Sequence, residues 1–78
     1  MNTVEQRAVK LIAMQQGFDV SDVTVDKKFE DLSADSLDII EIVMAVEDEF
    51  DIELSDSETD NLTTVQDLIN LIQARIVK

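Results

Sequence analysis

Apolar residues recur at helical spacing in three stretches of the chain, and between them the pattern loses any sustained period. The first stretch places Val4, Ala8, Leu11 and Ile12 on one buried face. Its helix is predicted to start at Asn2 or Thr3, where Asn2 and Glu5 have capping-box spacing, and to stop at Gly17, which adopts a left-handed conformation without penalty. Residues 18–35 mix Val20, Val23, Val25, Phe29 and Leu32 with Ser, Thr and Asp, which predicts a long ordered loop anchored by those apolar side chains. A second helix is predicted from about Ser36 to Phe50, with Asp35 as its N-cap. Ser55 and Glu58 have capping-box spacing and open a short helical turn. Thr63 with Gln66 opens a last helix burying Val65, Leu68, Ile69 and Ile72. The expected fold is all-α: a small bundle of three longer helices and one short helix, with a long ordered loop between the first and second.

The second helix carries two apolar faces. At roughly 100° per residue, Ile39, Ile42, Val43, Val46 and Phe50 form an ordinary core stripe. Leu37, Ile40 and Met44 lie within roughly 60° of one another on a different face. Acidic residues, among them Glu41, Glu47 and Asp48, surround that second strip, and apolar side chains rimmed by charge on an outer face suggest a protein-docking surface. The alternative is that neighbouring elements cover the strip, or that its members are isolated exposed apolar residues. Glu47, Asp48, Glu49 and Asp51 also crowd the helix's negative end, where cations would stabilise it. A local rule broken repeatedly in one element favours a functional, acidic binding helix.

Composition sharpens this picture. At 78 residues the chain is expected to be a single domain, residues 1–78, because two cores would each be too small to bury enough apolar surface. A net charge of −12 would suggest disorder by itself, but 45% hydrophobic residues predict a folded chain. Residues 29–74 contain no Lys or Arg and hold fourteen of the eighteen acids. Such a surface repels nucleic acids and anionic membranes and steers basic protein patches towards it. With neither a signal-peptide pattern nor an apolar run near ~18 residues, a cytoplasmic monomer that does not insert into membranes is expected.

The chain lacks both histidine and cysteine, so a Ser-His-Asp triad, a Cys-His pair and the usual zinc sites are excluded. Residues 56–67 have acids at alternating positions, as a calcium loop does. Asn61 replaces the sixth-position glycine, however, and Asp67 the bidentate glutamate, so capped helix ends explain the segment better. No metal site is expected.

The stretch from Phe29 to Phe50, FEDLSADSLDIIEIVMAVEDEF, resembles the acyl carrier protein signature, and the likeness continues through TTVQDLI at Thr63 to Ile69. Ser33 stands where that family usually has glycine and Ser55 where proline is frequent, so a positive φ at position 33 would strain this chain. The resemblance implies that Ser36, in Asp35-Ser36-Leu37, carries 4'-phosphopantetheine through a phosphodiester, attached from coenzyme A by a phosphopantetheinyl transferase that uses magnesium. It further implies a non-catalytic carrier of acyl thioesters, closest to the fatty acid synthesis type. Its partners would be acyl transferases and fatty-acid or polyketide synthesis enzymes with basic docking patches. The candidate partner-binding residues are Asp35, Leu37, Asp38, Ile40, Glu41, Met44, Glu47 and Asp48. Charge alone also fits an acidic helical interaction module or nucleic-acid mimic without a prosthetic group, but that alternative leaves the serine at the helix start unexplained.

Overall fold

The computed structural model describes residues 3–76. Four helices follow in order: α1 (Val4–Gln16), α2 (Ser36–Phe50), α3 (Asp56–Thr59) and α4 (Val65–Ile76). They form the expected all-α arrangement of three longer helices and one short one, with no strand among the described residues. None of the helices is long and apolar enough to cross a membrane.

Thr3 caps α1: its hydroxyl accepts from the Gln6 N–H at 3.1 Å, and the Gln6 side chain accepts from the Thr3 N–H at 3.1 Å. The capping pair is therefore Thr3 and Gln6, one position later than the Asn2–Glu5 pair expected, and Asn2 lies outside the described residues. Gly17 ends the helix with φ 73°, as its freedom at positive φ predicts. A similar one-residue correction applies to α4. Thr64, not Thr63, accepts the capping bond, taking the Asp67 N–H at 3.1 Å. Asp67, not Gln66, returns it, accepting from the Thr63 and Thr64 N–H groups. Gln66 instead reaches along the helix to Asn70. The Ser55–Glu58 pair caps α3 as expected.

The connection between α1 and α2 contains two short 3-10 turns, at Val20–Asp22 and Phe29–Leu32, too brief to produce a period in the sequence. Val23, Phe29 and Leu32 are buried and Val25 is half-buried, but Val20 is 50% exposed and anchors nothing. Backbone bonds stitch the connection to the start of α4: Phe29 N–H to Thr63 O at 3.0 Å, Val65 N–H to Lys27 O at 3.0 Å, and Gln66 N–H to Val25 O at 2.9 Å.

The core gathers Ile12 from α1, Ile42 and Val46 from α2, and Leu68, Ile69 and Ile72 from α4, all fully buried. Val4 and Leu11 only edge it, and the buried positions of α1 include Val9 and Ala13 as well. Arg75 of α4 pairs with Glu58 of α3, tying the short helix to the long one.

The two backbone N–H groups on the Asp67 carboxylate hold its pKa below the ordinary carboxylate value. At Asp26 the Thr24 hydroxyl has the same effect. A folded pKa below the unfolded one adds stability above the unfolded value and loses it as pH falls through the folded value. Asp67→Asn should therefore be less stable than the parent at neutral pH, and the gap should close as the solution is taken below the carboxylate range. Urea melts across the acid limb check this; a gap independent of pH would show that the Asp67 charge plays no part in capping α4.

Candidate functional site

Ser36 is the first residue of α2 and is exposed. Asp35 and Asp38 hold it there by reciprocal capping: Asp35 Oδ1 accepts from the Asp38 N–H at 2.9 Å, and Asp38 Oδ2 from the Asp35 N–H at 3.2 Å. The Ser36 hydroxyl makes no hydrogen bond among the described residues, and neither do the N–H groups of Ser36 and Leu37. A free hydroxyl thus stands beside unpaired donors at the positive end of a fifteen-residue helix. That surrounding suits a phosphate ester on Ser36 oxygen.

A groove of about 290 Å³ opens directly beside Ser36. Ile39, Ile40, Val43 and Met44 form its α2 wall, and Leu54 and Leu62 face them from the segments around α3. Its volume sits near the lower bound of roughly 300 Å³ for small-molecule pockets. The α3 side of this wall was not singled out from the sequence, because Leu54 and Leu62 belong to no periodic stretch.

The second apolar face of α2 is real. Leu37, Ile40 and Met44 are 62%, 55% and 62% exposed, while Ile42 and Val46 on the opposite face are buried, as is Val43 between the two faces. Phe50 ends the core stripe only half-buried, with the Arg7 guanidinium 4.4 Å from its ring centroid.

The acids singled out around the strip have internal partners of differing strength. Glu41 accepts from the Gln15 side chain at 3.0 Å and remains exposed. Glu47 is half-buried, and its carboxylate accepts the Leu54 N–H at 2.8 Å, so it fixes the chain leaving α2. Asp48 is exposed and makes no side-chain hydrogen bond among the described residues. The crowded negative end of α2 is relieved by Arg7, which binds the Glu49 carboxylate at 2.9 Å and its carbonyl at 3.1 Å. Cationic compensation therefore comes from α1, where a reading of α2 alone could not find it. Among the described residues no group of three or more acids is arranged to hold a metal ion.

Sequence reasoning missed Gln16, whose side chain reaches the Leu32 carbonyl and Asp38. A signal was present: Gln16 lies one turn beyond Ile12 on the buried face of α1, where an apolar residue would be expected.

Residues 6–72 match the family model described as "Phosphopantetheine attachment site". Among solved structures, the chain is similar to an acyl carrier protein from Thermotoga maritima. The two share 31% identity and a TM-score of 0.79, over 90% of this chain and 82% of that one. It also has the fold of an apo doublet acyl carrier protein from prodigiosin biosynthesis, with a TM-score of 0.80 at 23% identity, covering 92% of this chain and 35% of that one.

The two faces of α2 predict opposite phenotypes. Ile42→Ala should cost about 2–5 kcal/mol of stability, the range for a buried large-to-small change. Met44→Ala should change stability by less than about 0.5 kcal/mol. Thermal and urea melts of both variants decide it, and equal destabilisation would place Met44 in the core.

Proposed function

The chain belongs to the phosphopantetheine attachment family, and from that membership we propose that Ser36 bears the 4'-phosphopantetheine arm on which acyl groups are carried as thioesters to partner enzymes of fatty acid biosynthesis. The observation that carries this reading is the exposed, unpartnered Ser36 hydroxyl at the start of α2, beside an apolar groove. Members of this family hold 4'-phosphopantetheine covalently. When attached, the arm supplies a terminal thiol, which is the chemistry that the chain's own side chains lack.

The role of this chain in loading is presentation. Ser36 has no histidine or cysteine beside it to take its proton, since the chain contains neither, so deprotonation falls to the transferase. In the transferase site, with magnesium, Ser36 Oγ bonds the phosphorus bearing the pantetheine chain of coenzyme A, and the nucleotide half leaves with the other phosphate. Asp35 and Asp38 keep the first turn of α2 in place, so the hydroxyl projects without local unfolding. The protein acts as a non-catalytic carrier.

Leu37, Ile40 and Met44 would supply the apolar centre of the docking face, with Asp35, Asp38, Glu41, Glu47 and Asp48 as its acidic rim. Asp48, which makes no side-chain hydrogen bond among the described residues, and Glu41, exposed though bonded to the Gln15 side chain, are the rim members most available to a partner, because Glu47 is held by the Leu54 N–H and the other two by the cap. A basic patch on an acyl transferase, a synthase or the phosphopantetheinyl transferase fits this surface.

Loading with coenzyme A, magnesium and a promiscuous phosphopantetheinyl transferase should add one phosphopantetheine, located on Ser36 by peptide mass spectrometry and abolished in Ser36→Ala. An unmodified parent, or an equally modified Ser36→Ala, would sink the assignment. Association with the transferase should slow as salt rises, because charges more than about 8 Å apart are screened at physiological ionic strength. Replacing Glu41 and Asp48 with lysine should slow it further in stopped-flow measurements. Association rates indifferent to both changes would remove electrostatic steering by α2.

A further inference from the structure

Gln16 closes α1 at the level of the Ser36 end of α2. Its side-chain nitrogen donates to the Leu32 carbonyl at 3.1 Å and reaches Asp38 Oδ2 at 3.4 Å. One acceptor precedes the turn at residues 33–35 and the other lies in the first turn of α2, so the two contacts bracket Ser36 in the chain. The amide oxygen is buried without a partner among the described residues. The opposite amide orientation would set that oxygen against a carbonyl and a carboxylate, three acceptors together, so the nitrogen must face them. A polar side chain that leaves one buried atom unsatisfied, on a face where Ile12 is fully buried, is poorly explained by packing.

The segment it grips is strained. Ser33 has φ 60° and ψ 26°, a left-handed conformation that residues other than glycine rarely adopt. The Ser33 N–H bonds the Glu30 carbonyl at 3.1 Å and the Ala34 N–H the Phe29 carbonyl at 3.0 Å, so the turn is closed on itself. Among the described residues the one hydrogen bond from α1 to this segment is that of the Gln16 side chain to the Leu32 carbonyl.

We infer that Gln16 is a positioning residue for arm attachment: its amide clamps the strained turn at Ser33 against the first turn of α2 and so holds Ser36 in the orientation that a transferase accepts. This rests on Ser36 being the attachment serine. Without the clamp the turn escapes its left-handed conformation in part of the population, and the fraction presenting Ser36 correctly falls. A reduced competent fraction raises the apparent KM for the carrier and leaves turnover of docked molecules intact.

The test loads apo parent, Gln16→Leu, Gln16→Leu with Ser33→Gly, and Ile72→Val, using a promiscuous transferase over a range of carrier concentrations. Amide exchange at Ser33, Ala34 and Asp35 is followed in the same proteins. Gln16→Leu should raise KM roughly 3- to 10-fold, the equivalent of one ordinary hydrogen bond, and keep kcat within about twofold. Its melting temperature should stay near the parent's, because leucine fills the site and removes the unpartnered oxygen. Exchange at the three amides should accelerate. Adding Ser33→Gly should restore KM, since glycine holds the turn unaided. Ile72→Val, a core change on α4 that leaves the Gln16 hydrogen bonds in place, should melt lower yet keep the parent KM. Unchanged KM and exchange in Gln16→Leu overturn the clamp, as does a matching KM rise in Ile72→Val or a failure of Ser33→Gly to restore. If the parent is not loaded at Ser36, the attachment reading fails separately. Exchange at residues 33–35 then decides the clamp alone: acceleration in Gln16→Leu supports it and no change overturns it.

Discussion

Everything in this structure hangs on the seating of one face of α2 against α1 and α4. Ile42 and Val46 share one buried core with Ile12 of α1 and Ile72 of α4, and that packing fixes the rotation of α2 about its own axis. Once the rotation is fixed, the opposite face is fixed too. Leu37, Ile40 and Met44 must then point to solvent, and Ser36 must stand at the rim of the groove that the same helix walls. An exposed apolar strip and a core stripe on one fifteen-residue helix are two consequences of a single packing decision.

The few bases in the chain are used economically. Of those described, Arg7 serves the last turn of α2 and Arg75 serves α3, while Lys10, Lys27 and Lys28 are exposed. Both arginines therefore neutralise acids where two helices meet, and the acids of the outward α2 face keep their field. Exposed ion pairs of this kind contribute little stability singly. Arg7 differs in making three contacts of different kinds, to a carboxylate, a carbonyl and a ring, at a helix end that lacks any cation of its own.

Much of this was legible in the sequence, for reasons that can be traced to particular residues. The three long helices, the Gly17 and Asp35 boundaries and the two faces of α2 follow from periodicity and capping chemistry, both of which are local. The errors were local ties. Asn2 and Thr3, and Thr63 and Thr64, are neighbours that can each cap a helix, and the structure assigns the role to Thr3 and to Thr64. The 3-10 turns were invisible because three or four residues carry no period, and Val20 misled because one exposed valine in a loop looks like any buried one. Contacts between remote residues were out of reach. The partners of Gln16 and Arg7, 16 and 42 residues away in the chain, depend on chain reversals that no window of sequence reports.

The stitching of the α1–α2 connection to the start of α4 bears on the order in which the molecule assembles. Lys28 and Thr64, its central pair, are 36 residues apart in the chain, whereas the capping and helical bonds join residues three or four apart. Bringing such distant segments together costs ring-closure entropy that no local bond offsets. Helices can therefore condense first, and the seam at Lys28 and Thr64 closes onto an α4 already formed. Once closed, it converts one long connection into two short arcs, and the arc that leads into Ser36 inherits the rigidity of α4.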